Sequence, residues 1–220
     1  MRREKEPVTP EQIRAAHRQR REEIRARLGE FAEVRRTATD ERLWEELVFC
    51  IFTAGASARM GLGSVEAVRH LLGAGTHEEL AAALRSKHRY PNSRSGYIVV
   101  TRAHLAADCR MRLRERLEGF KDPLERRDWL ARTRGIKGLG YKESSHFLRN
   151  VGYRGYAILD KHILRCMAEA GVIDSPEPPA TRSRYLATEE RLRRFAEDLG
   201  VDFDELDLVL WSMKTGEILK

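Results

Sequence analysis

The chain has 220 residues, 41% of them apolar, enough for one large domain or two small halves sharing a core; with no apolar run near bilayer length and no apolar leader in the arginine-rich N-terminus, a soluble, intracellular and cytoplasmic protein is expected. Cys50, Cys109 and Cys166 are too few and too scattered for a disulfide framework or a cysteine-held metal cluster. The net charge of +7 comes from 33 Arg and 8 Lys against 34 acids, and the planar fork of arginine suits phosphate, so a nucleic acid is one partner class this composition fits; heat adaptation or coding bias would enrich arginine equally.

Nearly every segment reads as helix. Residues 10–28 are polar nearly all round, with Ile13, Ala16, Ile24 and Leu28 as a thin apolar stripe, the pattern of a helix lying on a larger body. "ERLWEELVFCIFTAGAS" repeats Leu43, Leu47, Val48, Ile51 and Phe52 at helical spacing, with Phe49 and Cys50 closing the gaps; so wide an apolar face predicts a central, mostly buried helix. Helices are predicted over 64–73, 77–85 and 95–117, broken by Gly73, Gly75 and "PNSRSG". Pro123 suits the first turn of a helix reaching Arg132. A further helix over 142–150, the connection "GYRGYAIL" and a helix over 161–170 closed by Gly171 come next. The loop "DSPEPPATRS" then separates helices near 184–199 and 203–214. "YAIL" has the composition of a strand, but no second run exists to pair with it. The fold class predicted is all-α.

The stretch "GIKGLGYKESSHFLRNVG" (135–152) carries the chemistry. Read physically, Ile136 to Tyr141 is a tight turn between two helices. Its glycines permit positive φ and close approach of a ligand, while Ile136 and Leu139 point inward. The first amides of the second helix can then hold a phosphate oxygen without reading sequence. A plain C-cap glycine followed by another helix leaves the same bare pattern. Lys142 is harder to explain, because a cation in the first turn opposes the helix dipole.

The whole frame, a helix over 123–132, the turn Ile136-Lys137-Gly138-Leu139-Gly140 and an immediate second helix, resembles the helix-hairpin-helix of the endonuclease III superfamily of DNA glycosylases. Gly138, Leu139, Gly140, Tyr141 and Lys142 match the lyase pattern in which a lysine follows the hairpin, and "ILDKHIL" supplies the superfamily's aspartate, Asp160. Within the superfamily, "GYKESSHFLRNVG", "AILDKHIL" and the C-terminal "LWSMKTGEILK" resemble the archaeal-type second class of 8-oxoguanine DNA glycosylase/AP lyases over roughly residues 40–220. Many endonuclease III relatives carry four cysteines near the C-terminus for an iron–sulfur cluster; this chain has none there, its last being Cys166, which fits the cluster-free class.

The resemblance implies a two-lobed helical fold with the active site in the cleft between lobes. One lobe is expected over approximately 60–165, with the helix-hairpin-helix at 123–150, and the other over approximately 1–59 and 166–220. It implies a monomeric, bifunctional DNA repair enzyme acting on 8-oxoguanine in double-stranded DNA, with no cofactor. Lys142 would attack the sugar C1′ and form a Schiff base that permits β-elimination, and Asp160 would orient or deprotonate the lysine and offset charge at the anomeric carbon. Taken alone, Asp160 reads equally as a helix N-cap.

Gly138, Leu139, Gly140 and Tyr141 would bind the DNA backbone, and the carbonyls of Ile136, Gly138 and Gly140 hold a monovalent cation in such proteins; no other metal is expected. Trp211 would stack on a flipped base, although a core tryptophan on an amphipathic helix fits its spacing too. Lys220 with its carboxylate would accept the extra hydrogen that 8-oxoguanine carries at N7. His146 and His162 read as structural histidines. Relatives place Gln or Asn after the long central helix to fill the gap left by the flipped base; here "TAGASARMG" offers Gly55 and Ala56, so Arg59, Asn92 or Arg94 are the candidates. Two rivals stand beside this reading: the same lyase chemistry on another oxidised base, and a non-catalytic helix-hairpin-helix binding module, for which neither Lys142 nor Asp160 would be needed.

Overall fold

A computed structural model describes residues 7–218, and the position expected for base recognition at Lys220 lies outside them. The described residues form helices and connections with no strand: α1 (Pro10–Thr37), α2 (Asp40–Thr53), α3 (Ala58–Val68), α4 (His77–Leu84), α5 (Pro91–Cys109), α6 (Leu113–Glu118), α7 (Pro123–Arg132), α8 (Tyr141–Asn150), α9 (Lys161–Glu169), α10 (Arg182–Leu199) and α11 (Phe203–Thr215). The all-α expectation holds. The described residues divide into two compact units, one from 7–32 and 152–218 and one over Glu33–Val151.

In the unit over Glu33–Val151, α2 is the core. Every residue from Leu43 to Thr53 except Glu45 is buried, and α3, α5, α6 and α8 all pack on it. The predicted division placed this helix with the chain ends; its apolar face instead meets α8. Local chemistry sets the boundaries of its neighbours. Ser57 caps α3 through Met60 N (3.2 Å), so that helix begins six residues earlier than expected and runs through Gly61, where an added Cβ would lie 2.7 Å from Thr53. Thr76 and Glu79 close a reciprocal capping box on α4 (3.2 and 2.8 Å). α5 starts at Pro91 in its first turn.

The single helix expected over 95–117 is two. Arg110 and Met111 take left-handed φ of 52° and 59°, and their amides return to Ala106 O and Leu105 O (3.2 and 3.1 Å). That closure satisfies the last carbonyls of α5 and turns the chain into α6.

In the unit built from the ends, α9 and α10 pack on α11. α1 buries Ile13, Ile24 and Phe31, while Ala16 and Leu28 are only half-buried. It is tied to α11 by Glu205, which holds His17 Nε2 at 2.6 Å and Arg25 Nε at 2.7 Å. Burial alone would raise the Glu205 carboxyl; the bonds to Arg25 and His17 outweigh it and hold the group below its ordinary range. "YAIL" is buried and forms neither helix nor strand. Two side chains one turn apart on α10 take the place of a neighbouring strand: Glu189 Oε1 accepts from Ala157 N (2.8 Å), and the Tyr185 hydroxyl donates to Ala157 O (2.7 Å). A strand-like sequence is thus accommodated in an all-helical unit because helix side chains satisfy its backbone.

Candidate active site

The glycine turn sits between α7 and α8, and one stripe of α5 shapes it. Tyr97, Thr101 and His104 lie at i, i+4 and i+7, on one face. Thr101 Oγ1, fully buried, accepts from Lys137 N at 2.9 Å. Gly138 takes φ +80°, and a Cβ there would lie 2.7 Å from the Tyr97 ring and 3.3 Å from Ile51. A Cβ on Gly135 would lie 2.3 Å from the His104 ring. Gly135 and Gly138 are therefore required by the turn's own packing as well as by any ligand. Ile136 and Leu139 are buried, as the pattern predicted.

α8 begins at once from Gly140, whose carbonyl accepts from Ser144 N (2.9 Å). Its first residue, Tyr141, is latched to α7 by its hydroxyl, which donates to Asp128 Oδ1 at 2.8 Å. Lys142 comes next, in the first turn. Its Nζ lies 2.8 Å from Glu143 Oε1, with the two side chains 26% and 14% exposed. The other oxygen, Oε2, accepts weakly from Gly140 N at 3.4 Å. Glu143 supplies the acid the dipole favours at this end and offsets the lysine that it does not. The sequence reading passed over Glu143, although an acid three residues after a helix-opening glycine is a capping signal.

His146 is buried with its ring edge-on to Phe49 (5.7 Å, 72°), in keeping with a structural part. Nearby on the same unit, Arg94 is buried. Its guanidinium donates to Ala54 O and lies over the rings of Tyr90 and Tyr97 at 5.9 and 5.4 Å. It is spent on holding the turn after α2. Asn92 O receives His77 Nε2 (3.1 Å) and the Ser95 hydroxyl (2.9 Å). The exposed aromatic at this corner is Tyr90, 46% accessible, with Arg89 also over its ring at 5.7 Å; Arg59 is exposed too. The order Arg89-Tyr90-Pro91, an aromatic beside a helix-opening proline, was the available signal for it.

In the other unit, Asp160 is the N-cap of α9. Its Oδ1 accepts from His162 N (2.8 Å) and Ile163 N (2.9 Å), so Oδ2 takes part in neither cap bond. Burial lowers the His162 pKa; Asp160 opposes that shift, and Lys161, Arg165 and Lys214 reinforce it. Trp211 is partly exposed between buried Leu210 and buried Ser212 on α11. One turn earlier on the same face, Asp207 is a buried carboxylate. It was missed because one of the three acids in "FDELDLVLW" reads as part of a solvated face. Among the described residues no group of three His, Cys, Asp or Glu side chains is placed to hold a metal ion, and no helix is long and apolar enough to cross a membrane.

An all-helical chain with a positive-φ glycine turn feeding directly into a lysine-bearing helix is a helix-hairpin-helix protein. The family model for 8-oxoguanine DNA glycosylase matches residues 24–201, and the chain belongs to that family. It is 40% identical over 201 residues to the 8-oxoguanine DNA glycosylase/AP lyase of Korarchaeum cryptofilum, covering 91% of each chain. Its fold is similar to that of the 8-oxoguanine DNA glycosylase of Thermotoga maritima, with 36% identity, a TM-score of 0.85, and 96% of this chain and 98% of that one covered. It is likewise similar to the Methanocaldococcus jannaschii 8-oxoguanine glycosylase/lyase in complex with a 15mer DNA containing 8-oxoguanine, with 34% identity, a TM-score of 0.87, and 96% and 99% covered.

Proposed function

We propose that this chain is a bifunctional DNA repair enzyme that removes 8-oxoguanine from double-stranded DNA and nicks the resulting abasic site by β-elimination. The observation that carries this reading is Lys142 in the first turn of α8, directly behind the glycine turn, in a chain of this family. An amine placed there attacks C1′ of the damaged nucleotide, and the Schiff base that follows acidifies the neighbouring C2′ hydrogen and so permits strand cleavage. Asp160, with an oxygen left over from its capping duty, offsets positive charge as it develops at the anomeric carbon.

The amides of Gly138 to Tyr141 grip the DNA backbone near the flipped nucleotide. The carbonyls of Ile136 and Gly138 accept no backbone bond among the described residues, while that of Gly140 is shared with Ser144 N; together they suit a monovalent cation, which would add positive charge beside the phosphate. Trp211 stacks on the extruded base. Lys220, which lies outside the described residues, takes part in recognising the base, and buried Asp207 places a carboxylate on the Trp211 face. Tyr90 fills the space the base leaves, in place of Arg94, which is committed to Ala54. The enzyme works as a monomer, in the compartment that holds the DNA.

The test is nicking of duplexes carrying one 8-oxoguanine, an oxidised pyrimidine, or no lesion. Cleavage at 8-oxoguanine alone is expected. Cleavage confined to the pyrimidine would replace the substrate and leave the chemistry, and binding without cleavage of any duplex would favour the non-catalytic module.

A further inference from the structure

Lys142 and Glu143 are adjacent in sequence, and adjacent residues of a helix point about 100° apart and do not normally face each other. Here they meet because Cα–Cβ bonds tilt toward the helix N-terminus. Both side chains fold back over the open end of α8, Glu143 toward Gly140 N and Lys142 onto the same carboxylate, with Nζ 2.8 Å from Oε1. The half-buried carboxylate also lies in the field of a second cation, the buried guanidinium of Arg94 on α5. A carboxylate so fixed by the hairpin is at proton-transfer distance from the atom that must become a nucleophile.

We infer that Glu143 is a catalytic residue: the base that takes the proton from Lys142. This rests on the reading of Lys142 as the nucleophile. A proton leaves Nζ for Glu143 Oε1, and the lone pair so freed forms the bond from Nζ to C1′. The bond from C1′ to N9 of the base breaks, its electron pair leaving with the base, and the proton held on the Glu143 carboxyl is delivered to that nitrogen. The carboxylate is regenerated and charge is conserved. Asp160 is then left to stabilise the sugar, a division of labour between two carboxylates held by different helices. The contact that places Glu143 is the 2.8 Å approach of Oε1 to Nζ; the longer one from Gly140 N to Oε2, at 3.4 Å, keeps the carboxylate at the open end of α8.

The test uses Glu143→Gln, which keeps a carbonyl for Gly140 N and removes the base. Single-turnover release of 8-oxoguanine and borohydride-trapped adduct are measured beside affinity for a duplex carrying a stable abasic analogue. We expect both rates to fall about 10²- to 10⁴-fold, the usual worth of a positioned base, with duplex affinity and thermal midpoint unchanged. Glu143→Asp should recover part of the rate. If the glutamine variant folds poorly, Glu143→Ala with added formate decides instead, since a small carboxylate restores a missing base but not a missing structural contact. A Glu143→Gln enzyme at wild-type rate, a slowing matched by weakened duplex binding, or an alanine variant that formate leaves slow overturns the inference. Lys142→Gln is run alongside: an adduct formed by that variant would sink the lysine reading itself, whereas its loss together with a wild-type Glu143→Gln would remove only Glu143.

Discussion

The two residues that define the proposed chemistry are held in opposite ways. Lys142 stands on contorted backbone: a left-handed glycine, a turn pressed against Tyr97 and Ile51, and an amide pinned by Thr101. Asp160 stands on a regular helix end and caps it with two ordinary bonds from one oxygen. Function and stability therefore separate cleanly at the aspartate and at the lysine's own side chain. They are fused in the turn beneath the lysine, where small changes in the backbone's neighbours move both.

The largest expected effect is at Lys142. Lys142→Gln should give no trapped adduct on abasic DNA, yet change stability by less than about 0.5 kcal/mol, as for a partly exposed side chain outside the core; a calorimetric scan beside the trapping gel checks both. Asp160→Asn comes next. Asn caps a helix as well as Asp, so the midpoint should hold while the excision rate falls about 10²-fold or more through loss of the charge, measured under single turnover. Asp160→Ala should add about 1 kcal/mol of destabilisation to that loss.

Within the turn the sign of the comparison reverses. Gly138→Ala should cost about 3 kcal/mol, from the left-handed φ and the 2.7 Å approach to Tyr97, and should take activity with it; urea unfolding gives the number. Thr101→Val, which removes the acceptor for Lys137 N inside a dry contact, should cost about 2 kcal/mol. Excision should slow without a change in the residues that do chemistry. The smallest effect belongs to the unit made from the chain ends. Glu205→Gln should cost about 1 kcal/mol at neutral pH, since its partner Arg25 is half exposed. Because the folded-state value of Glu205 is depressed, its contribution is present above the ordinary 4.5 and lost as pH falls through the folded value. Wild type and variant should therefore differ most above 4.5 and converge in stability as pH falls through the depressed folded value.

Much of this was legible in the amino-acid order, and the exceptions have physical causes. Helix identity followed from periodicity, as in α2, whose wide apolar face is buried as the spacing requires. Boundaries failed where a cap or a left-handed pair outweighed periodicity, at Ser57 and at Arg110–Met111. "YAIL" has a strand's composition, and only the arrangement of Tyr185 and Glu189 on a helix 26 or more residues later explains why it needs no strand. At the proposed site, motif and spacing single out the glycine turn, Lys142 and Asp160. Glu143 and Tyr90 had weaker signals, a capping position and an aromatic beside a helix-opening proline, and the parts proposed for them depend on what folds back onto them. Arg94, a candidate for filling the gap left by the flipped base, is a buried prop for the turn after α2.

The most direct test of the central claim is borohydride trapping on a duplex with one 8-oxoguanine, followed by peptide mapping of the cross-linked product. The account predicts one covalent adduct, on the peptide containing Lys142, and none with Lys142→Gln. An adduct on another lysine, or base release by wild type with no adduct at all, would contradict it.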